Sequence, residues 1–381
     1  YGHLDKQPPA TGWSEGLGPF TPVVRDGKLY GRGCSDDGYS VYAALTAIRA
    51  LEDAGIPHPR AVGLIETREE SGSNDLEHYL KKNAARFGSP RLVCVLDSGA
   101  GNYEQLWLTS SLRGACAIDL NVRVLRQGMH SGTASGVVPS SFDVLRILLD
   151  RIQDPRTGAI LDPAFNVEIP SNRMDDLKKT AEVLGDGFIS EFPWAEGPNG
   201  SVQSRCRGTE EALIARCWKP TLSVTGAAGL PPLSMAGNSL RSDTTLRLSF
   251  RLPPTAKTEN ILPALQKKLL TDPPFNAVVS IAGGDALPGW NAPSEADWFR
   301  SACDESSKAL WGKPAMRIGE GGSIPILNLF EAQFPRAQFA VTGVLGPGSN
   351  AHNADESLDL AYTEKFIAAV GYLAASIPEE A

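Results

Sequence analysis

Ala61-Val62-Gly63-Leu64-Ile65, then Asp75 through Phe87, then Leu92-Val93-Cys94-Val95-Leu96 with Asp97 directly after it: these three pieces, in this order, decide the fold. The first and third are short apolar runs bounded by polar residues, which predicts buried strands. The middle piece has the spacing of an amphipathic helix. A strand, helix and strand in succession predict a mostly parallel α/β sheet. Upstream, the apolar positions from Tyr42 to Asp53 recur with helical periodicity and extend the same rhythm.

Working outward, the texture changes near Leu112-Arg113-Gly114. Alternating strands are expected at Ala117 to Leu125 and Thr244 to Leu252, a helix at Phe142 to Ile152, and a Pro/Gly-interrupted insert from Asp154 to Pro220. From about Gly289 the earlier rhythm returns, with a helix from Glu295 to Leu310 and a strand from Gln338 to Val344. At 381 residues the chain exceeds what one core serves. The expectation is therefore an α/β domain formed by residues 1–112 and 287–381, interrupted by an inserted α+β domain, residues 113–286. Tyr1-Gly2-His3-Leu4-Asp5 already reads as a strand-end motif. That predicts a numbering that begins inside a longer chain, with further N-terminal strands and any signal peptide outside it.

Composition excludes several classes. The net charge of −8 arises from intermixed acids and bases, which argues against a nucleic-acid partner because phosphate binding needs a basic face. No apolar run approaches the roughly 18 residues that would cross a bilayer, so no membrane partner is expected. Six cysteines without a CxxC pair exclude a zinc finger and fit a reducing compartment, giving a cytoplasmic expectation. No GxSxG elbow is present, which sets aside a serine hydrolase of the α/β type.

Acidic and histidine clusters punctuate the strands. His3-Leu4-Asp5, Ser35-Asp36-Asp37-Gly38, Glu69-Glu70-Ser71-Gly72 and Leu96-Asp97-Ser98 each follow an apolar run or sit in a loop. Asn350-Ala351-His352-Asn353 lies in a Gly/Pro/Asn-rich loop far downstream. Each alone is ordinary, since Asp-Asp-Gly is a common turn. Together they can converge beyond the carboxyl ends of parallel strands. Two imidazoles with several carboxylates suit a borderline-soft divalent ion, and the surplus of carboxylates suggests two ions sharing a bridge.

Taken in order, Tyr1-Gly2-His3-Leu4-Asp5-Lys6-Gln7-Pro8, Leu29-Tyr30-Gly31-Arg32-Gly33-Cys34-Ser35-Asp36-Asp37, Glu66-Thr67-Arg68-Glu69-Glu70-Ser71-Gly72-Ser73, Leu96-Asp97-Ser98, Met129-His130-Ser131-Gly132, Phe250-Arg251-Leu252-Pro253, Glu320-Gly321-Gly322-Ser323-Ile324-Pro325 and Asn350-Ala351-His352-Asn353 span essentially the whole chain. They resemble successive motifs of the carnosinase and cytosolic nonspecific dipeptidase branch of the aminoacylase-like zinc exopeptidases. The resemblance implies a catalytic α/β domain carrying an inserted lid through which subunits dimerise. It implies two divalent ions per subunit, zinc foremost with manganese or cobalt as alternatives. His3 and Asp97 would ligate one ion, Glu70 and His352 the other, and Asp36 would bridge them across a cis Asp36–Asp37 peptide. Asp5 would orient His3 by accepting its spare N–H. Glu69 matches the general base, His130 an oxyanion donor acting across the dimer, and Arg251 the substrate-carboxylate site.

Ser323, Glu320, Gly322 and Asn238 are further substrate-binding candidates, Ser323 because hydroxyl and backbone N–H groups after the glycines could form an anion nest. Asp97, where many relatives have Glu, leans toward a peptidase. Two departures fall in segments expected to face the pocket: Asp36-Asp37-Gly38-Tyr39 stands where the family commonly reads Asp-Asp-Lys-Gly, and Trp290-Asn291 where the carnosinase branch carries a histidine. The reading is hydrolysis of a small peptide's amide bond. The rivals are an N-acyl-amino-acid deacylase on the same ions and a non-catalytic metal-binding dimer.

Overall fold

The computed structural model describes residues 1–378. Leu92–Val95 forms a strand whose alternation has two buried sides. Val93 and Val95 enter one apolar cluster with Leu76, Leu80, Ile326, Phe330 and Phe339, while Leu92 and Cys94 touch another built on Ala43, Trp107, Phe299, Tyr362 and Phe366. A strand flanked by helices on both faces has to be apolar throughout, which is how the sequence reads there. Ser40–Ala54, Asp297–Trp311 and Leu360–Ala375 supply helices for one face; Leu76–Lys82 and Ile326–Gln333 supply the other.

Among the described residues, three pairings in this body are parallel, and three, of Lys28–Tyr30 with Val23–Arg25 and with Ser357–Asp359 and of Trp290–Asn291 with Trp107–Leu112, are antiparallel. Gln338–Val341 runs beside Leu92–Val95, Met316–Glu320 beside Trp107–Leu112, and Gly2–His3 beside Ile65–Glu66. Backbone bonds from Leu96 N–H to the Tyr1 carbonyl (3.0 Å) and from the Tyr1 amino group to the Cys94 carbonyl (2.7 Å) tie Gly2–His3 to Leu92–Val95. The parallel direction brings His3, Glu69, Glu70, Asp97 and Glu320 to one end of the sheet.

Two elements differ from expectation. The strand expected at Ala61 to Ile65 is confined to Ile65–Glu66, because its neighbour pairs only through Gly2 and His3; Val62 stays 40% exposed. The helix expected over Asp75 to Phe87 is broken at Asn83, with non-helical backbone there between Leu76–Lys82 and Ala84–Phe87.

Residues 114–287 contain a four-stranded antiparallel sheet in the order Thr221–Ala228, Asp243–Leu252, Gly114–Arg123, Val278–Leu287. Its inward positions Cys116, Ile118, Leu120, Val122, Leu246, Leu248 and Phe250 pack on the Ser141–Asp150 and Ile261–Leu270 helices. Its outward positions carry pairs such as Arg247 Nε to Asp119 Oδ1 at 2.7 Å. Each fully buried Leu, Ile or Phe contributes roughly 1.5–3 kcal/mol.

The Ser171–Leu184 and Thr209–Trp218 helices lie in this middle stretch of sequence yet pack on Met316–Glu320 of the first body. Leu177, Leu213, Cys217 and Trp218 form their own cluster, and the Thr180 hydroxyl donates to the Arg317 carbonyl at 2.8 Å. Two of the chain's crossings between the bodies run side by side: Leu112 lies opposite Trp290 on one side and Ala115 opposite Leu287 on the other. A Cβ at residue 114 would sit 2.4 Å from the Leu287 carbonyl oxygen, and one at residue 289 would sit 2.6 Å from Pro254 Cα, so both positions are glycine.

Candidate metal and substrate site

His3 ends its strand with its backbone N–H donated to Asp37 Oδ2 at 3.0 Å, which turns the imidazole toward the loop after residue 35. Its Nε2 lies 3.4 Å from Asp36 Oδ1 and 3.7 Å from Asp97 Oδ1. His352 reaches the opposite oxygen of the same carboxylate, Asp36 Oδ2, at 2.7 Å, and lies 3.5 Å from Glu70 Oε1. The Asp36–Asp37 peptide is cis.

Electrostatics follow from this crowding. Burial opposes a charge on His3, but Asp36 and Asp97 hold its pKa up to about 11. Burial likewise opposes ionisation of Asp36, yet His3 and His352 keep its carboxyl well below the usual carboxylate range. Burial, then the charge of Asp97, pushes Glu69 up to about 8.

Behind these groups, Asp5 does two things. Its backbone carbonyl lies 3.1 Å from His3 Nδ1, with the carboxylate 3.4 Å away, and both carboxylate oxygens accept backbone N–H groups, from Glu69 at 3.2 Å and Glu70 at 3.0 Å. The spare imidazole nitrogen thus meets the Asp5 main chain more closely than its side chain. The Asp5 carboxylate instead fixes the turn that presents Glu69 and Glu70.

The donor set fits divalent ions. His3, Asp36 and Glu70 offer ligand atoms within 4.8 Å of one another, and so do His3, Asp37 and Asp97. Glu70 Oε1 and Asp37 Oδ1 are buried without a hydrogen-bond partner, a costly condition for a carboxylate oxygen unless a cation meets it.

A cavity of about 620 Å³ opens beside this cluster, lined among others by Asp36, Glu69, Glu70, Asp97, His352, Arg251, Glu320, Gly322 and Ser323. Arg251 Nη1 donates to Ser323 Oγ at 3.3 Å, and that hydroxyl donates to the Arg113 carbonyl. His130 and Asn238 are not in the lining. They sit together on an exposed two-stranded ladder, Met129–His130 against Ser239–Leu240, where Ser131 N–H donates to the Asn238 carbonyl at 2.9 Å.

Trp290 and Asn291, expected to face the pocket, do not line it. Trp290 is buried with Nε1 donated to Glu331 at 2.8 Å, and Asn291 accepts from Arg173 Nε at 2.8 Å. The other departure has a local cause: a Cβ at Gly38 would lie 2.5 Å from the Gly33 carbonyl oxygen and 3.2 Å from Lys6 Nζ, so Lys6 fills the room a side chain at 38 would use.

Several residues escaped the sequence reading. Glu356, fully buried, pairs with Arg32 at 2.6 Å and accepts from the backbone N–H groups of Gly33, Ser35 and Asp36. Arg216 lines the cavity from the Thr209–Trp218 helix. The signal for Glu356 was an acid four residues after His352; nothing local marked Arg216.

An α/β body that collects imidazoles and carboxylates beyond its strand ends, beside a cavity, has the build of a metal-assisted hydrolase. The sequence pattern of Peptidase family M20/M25/M40 matches residues 1–377, and the chain belongs to that family. The Cys-Gly metallodipeptidase dug1 of Schizosaccharomyces pombe is 28% identical over 374 residues, covering 94% of this chain and 75% of that protein. The Beta-Ala-His dipeptidase of Mus musculus is 26% identical, covering 93% of this chain and 72% of that protein. The solved dipeptidase Dug1p from Saccharomyces cerevisiae has a TM-score of 0.76 at 24% identity, covering 100% of this chain and 80% of that one, a likeness of fold. Among the described residues no helix is long and apolar enough to cross a membrane.

Proposed function

We propose that this member of the peptidase family is a metal-dependent dipeptidase that cleaves the amide bond of a small peptide. The observation that carries the reading is the placement of His3 and His352 on opposite oxygens of Asp36, which suits a carboxylate shared by two ions. His3 and Asp97 would hold one ion, Glu70 and His352 the other, and Asp36 both. The proximity of Asp37 to His3 and Asp97 makes it a supporting anion. The ions supply Lewis acidity toward the scissile carbonyl and a water of lowered pKa, and zinc suits this donor set.

This chain's own residues then do the rest. Glu69 accepts the proton of the attacking water and returns it to the departing amine, so one water is consumed and two free ends appear. Arg251 offers its planar fork to the substrate's terminal carboxylate, with the Ser323 hydroxyl beside it. His130 and Asn238, outside the cavity of their own chain, act on that of a second copy, with residues 113–286 as the inserted unit through which the copies pair and 1–112 with 287–381 as the catalytic unit. The six free thiols suit a cytoplasmic setting.

The dipeptidases among the relatives favour a free dipeptide over an N-acyl amino acid. The test reconstitutes the purified protein with zinc, manganese or cobalt and assays dipeptides beside N-acetyl amino acids, with elemental analysis of the same samples. Two ions per chain and turnover of the dipeptides are expected; turnover of the N-acetyl compounds alone would establish the deacylase instead.

A further inference from the structure

The cavity lining carries groups of both signs. Arg251 and Ser323 form one bonded pair in it. Glu320 ends the Met316–Glu320 strand, with Glu191 also in the lining. Arg216, also in the lining, belongs to the helix that leans on this strand. Its guanidinium bonds Glu320 Oε2 and lies over the Phe188 ring, 5.4 Å from the centroid. The other oxygen of Glu320 is pressed onto the main chain two residues past Asp97: a Cβ at Gly99 would lie 2.8 Å from Glu320 Oε1 and 3.4 Å from the Leu345 carbonyl oxygen. One oxygen is therefore held by Arg216 while the whole carboxylate is kept against the loop that carries a metal-ligand candidate.

We infer that Arg216 is a positioning residue for the substrate's amino end, fixing the Glu320 carboxylate where it receives an ammonium group, so that the pocket takes peptides with a free amino terminus and rejects N-acylated ones. This rests on the dipeptidase reading above and names its specificity determinant. The chemistry is that of a site built for a charged hydrogen-bond partner. A free ammonium completes the carboxylate, whereas a neutral acyl amide leaves it desolvated and unmatched, and sites of that kind discriminate strongly. Arg216 is needed because Glu320 shares the cavity with Asp36, Glu69, Glu70 and Asp97; without a cation of its own, like-charge repulsion would turn the carboxylate away. The guanidinium fork holds one oxygen and packs on an aromatic face, which a lysine ammonium does poorly.

The experiment compares wild type, Arg216→Met, Arg216→Lys, Glu320→Gln and the Arg216→Met/Glu320→Gln double variant, each metal-loaded. Kinetics are measured on one dipeptide and its N-acetyl derivative. Calorimetric binding of a non-hydrolysable dipeptide isostere, with free and with acetylated amine, is measured in parallel. In wild type the free-amine compound should be favoured, with KM for it rising above pH about 8 as the ammonium deprotonates. Arg216→Met and Glu320→Gln should each cut that preference at least tenfold, mainly through KM. Arg216→Lys should fall between, and the double variant should lose no more than Glu320→Gln alone. Metal content should stay unchanged throughout.

An unchanged preference in Arg216→Met, or losses that add in the double variant, would overturn the inference, as would equal binding of both isosteres by wild type. A wild type that binds the free-amine isostere preferentially yet cleaves no dipeptide would instead defeat the dipeptidase reading and leave this one standing. Should Arg216→Met not fold, Arg216→Lys and Glu320→Gln decide the matter by the same ratio.

Discussion

Glu69 and Glu70 are adjacent, both held by Asp5 through their backbone N–H groups, yet their side chains face different tasks. Glu70 lies 3.5 Å from His352 with one oxygen unpartnered. Glu69 lines the cavity, where burial and then the nearby Asp97 charge push its carboxyl up to about 8 in the metal-free protein. Glu69→Gln should lower kcat by roughly 10²–10⁴ while sparing the metal, because an amide keeps the volume but cannot accept a proton. Glu70→Gln should lose an ion as well, and elemental analysis beside the kinetics separates the two; identical losses in both variants would reverse the assignment. His3 gives a pH prediction. Its pKa is raised to about 11 against an unfolded value of 6.5, so the metal-free protein gains stability from this proton below about pH 6.5 and loses it as pH rises through about 11. An ion at His3 must displace that proton. Metal loading at pH 7 should therefore release protons, on the order of one from this group, and affinity should rise with pH. Titration calorimetry in buffers of different ionisation enthalpy measures the release, and its persistence in His3→Ala would show another source.

At the scale of elements, the 31–37 loop is organised less by its own sequence than by Glu356, which binds Arg32 and three backbone N–H groups from 320 or more positions away. Breaking one partner of such a buried pair costs about 3–5 kcal/mol. Glu356→Gln should lower the denaturation midpoint accordingly and weaken metal binding, although Glu356 is not among the candidate ligands; an unchanged midpoint would mean that the loop is held by other contacts. This element also marks the limit of what was legible. Strands with apolar residues on both faces, such as Leu92–Val95 and Gln338–Val341, announce themselves, as do the helices whose apolar stripe meets the sheet. The acids and histidines that the structure brings together were legible because their motifs recur in order, each after such an element or in a loop. Ala61 to Ile65 misled because apolar content says nothing of how much neighbour is available to pair, and only Ile65 and Glu66 find one. Arg216 was invisible for a related reason: its role depends on which body its helix packs against, and amphipathicity marks that a face is buried without saying on what.

For the whole molecule, the exposed ladder of His130 and Asn238 makes the oligomer itself a prediction. If the active unit is a dimer with shared sites, mixing His130→Ala with Glu69→Gln, each inactive alone, should restore about a quarter of wild-type activity, since half the dimers are mixed and each holds one intact site. Losing the His130 donor alone should cost on the order of 10²–10³ in turnover. No recovery after demonstrated subunit exchange would place His130 outside any shared site. The chain crossings at Gly114 and Gly289, packed against each other, bear on how the molecule assembles. The first body unites Leu92–Val95 with Gln338–Val341 and Trp107–Leu112 with Met316–Glu320, both as parallel pairs, across the entire intervening chain. Closing so long a loop is entropically unfavourable unless something shortens it. An antiparallel sheet that forms first, with its entrance and exit touching, converts that long loop into a step of a few residues. Pulse-labelled hydrogen exchange should then find Gly114–Arg123 and Asp243–Leu252 protected before Leu92–Val95 and Gln338–Val341. The reverse order would mean that the parallel halves find each other unaided.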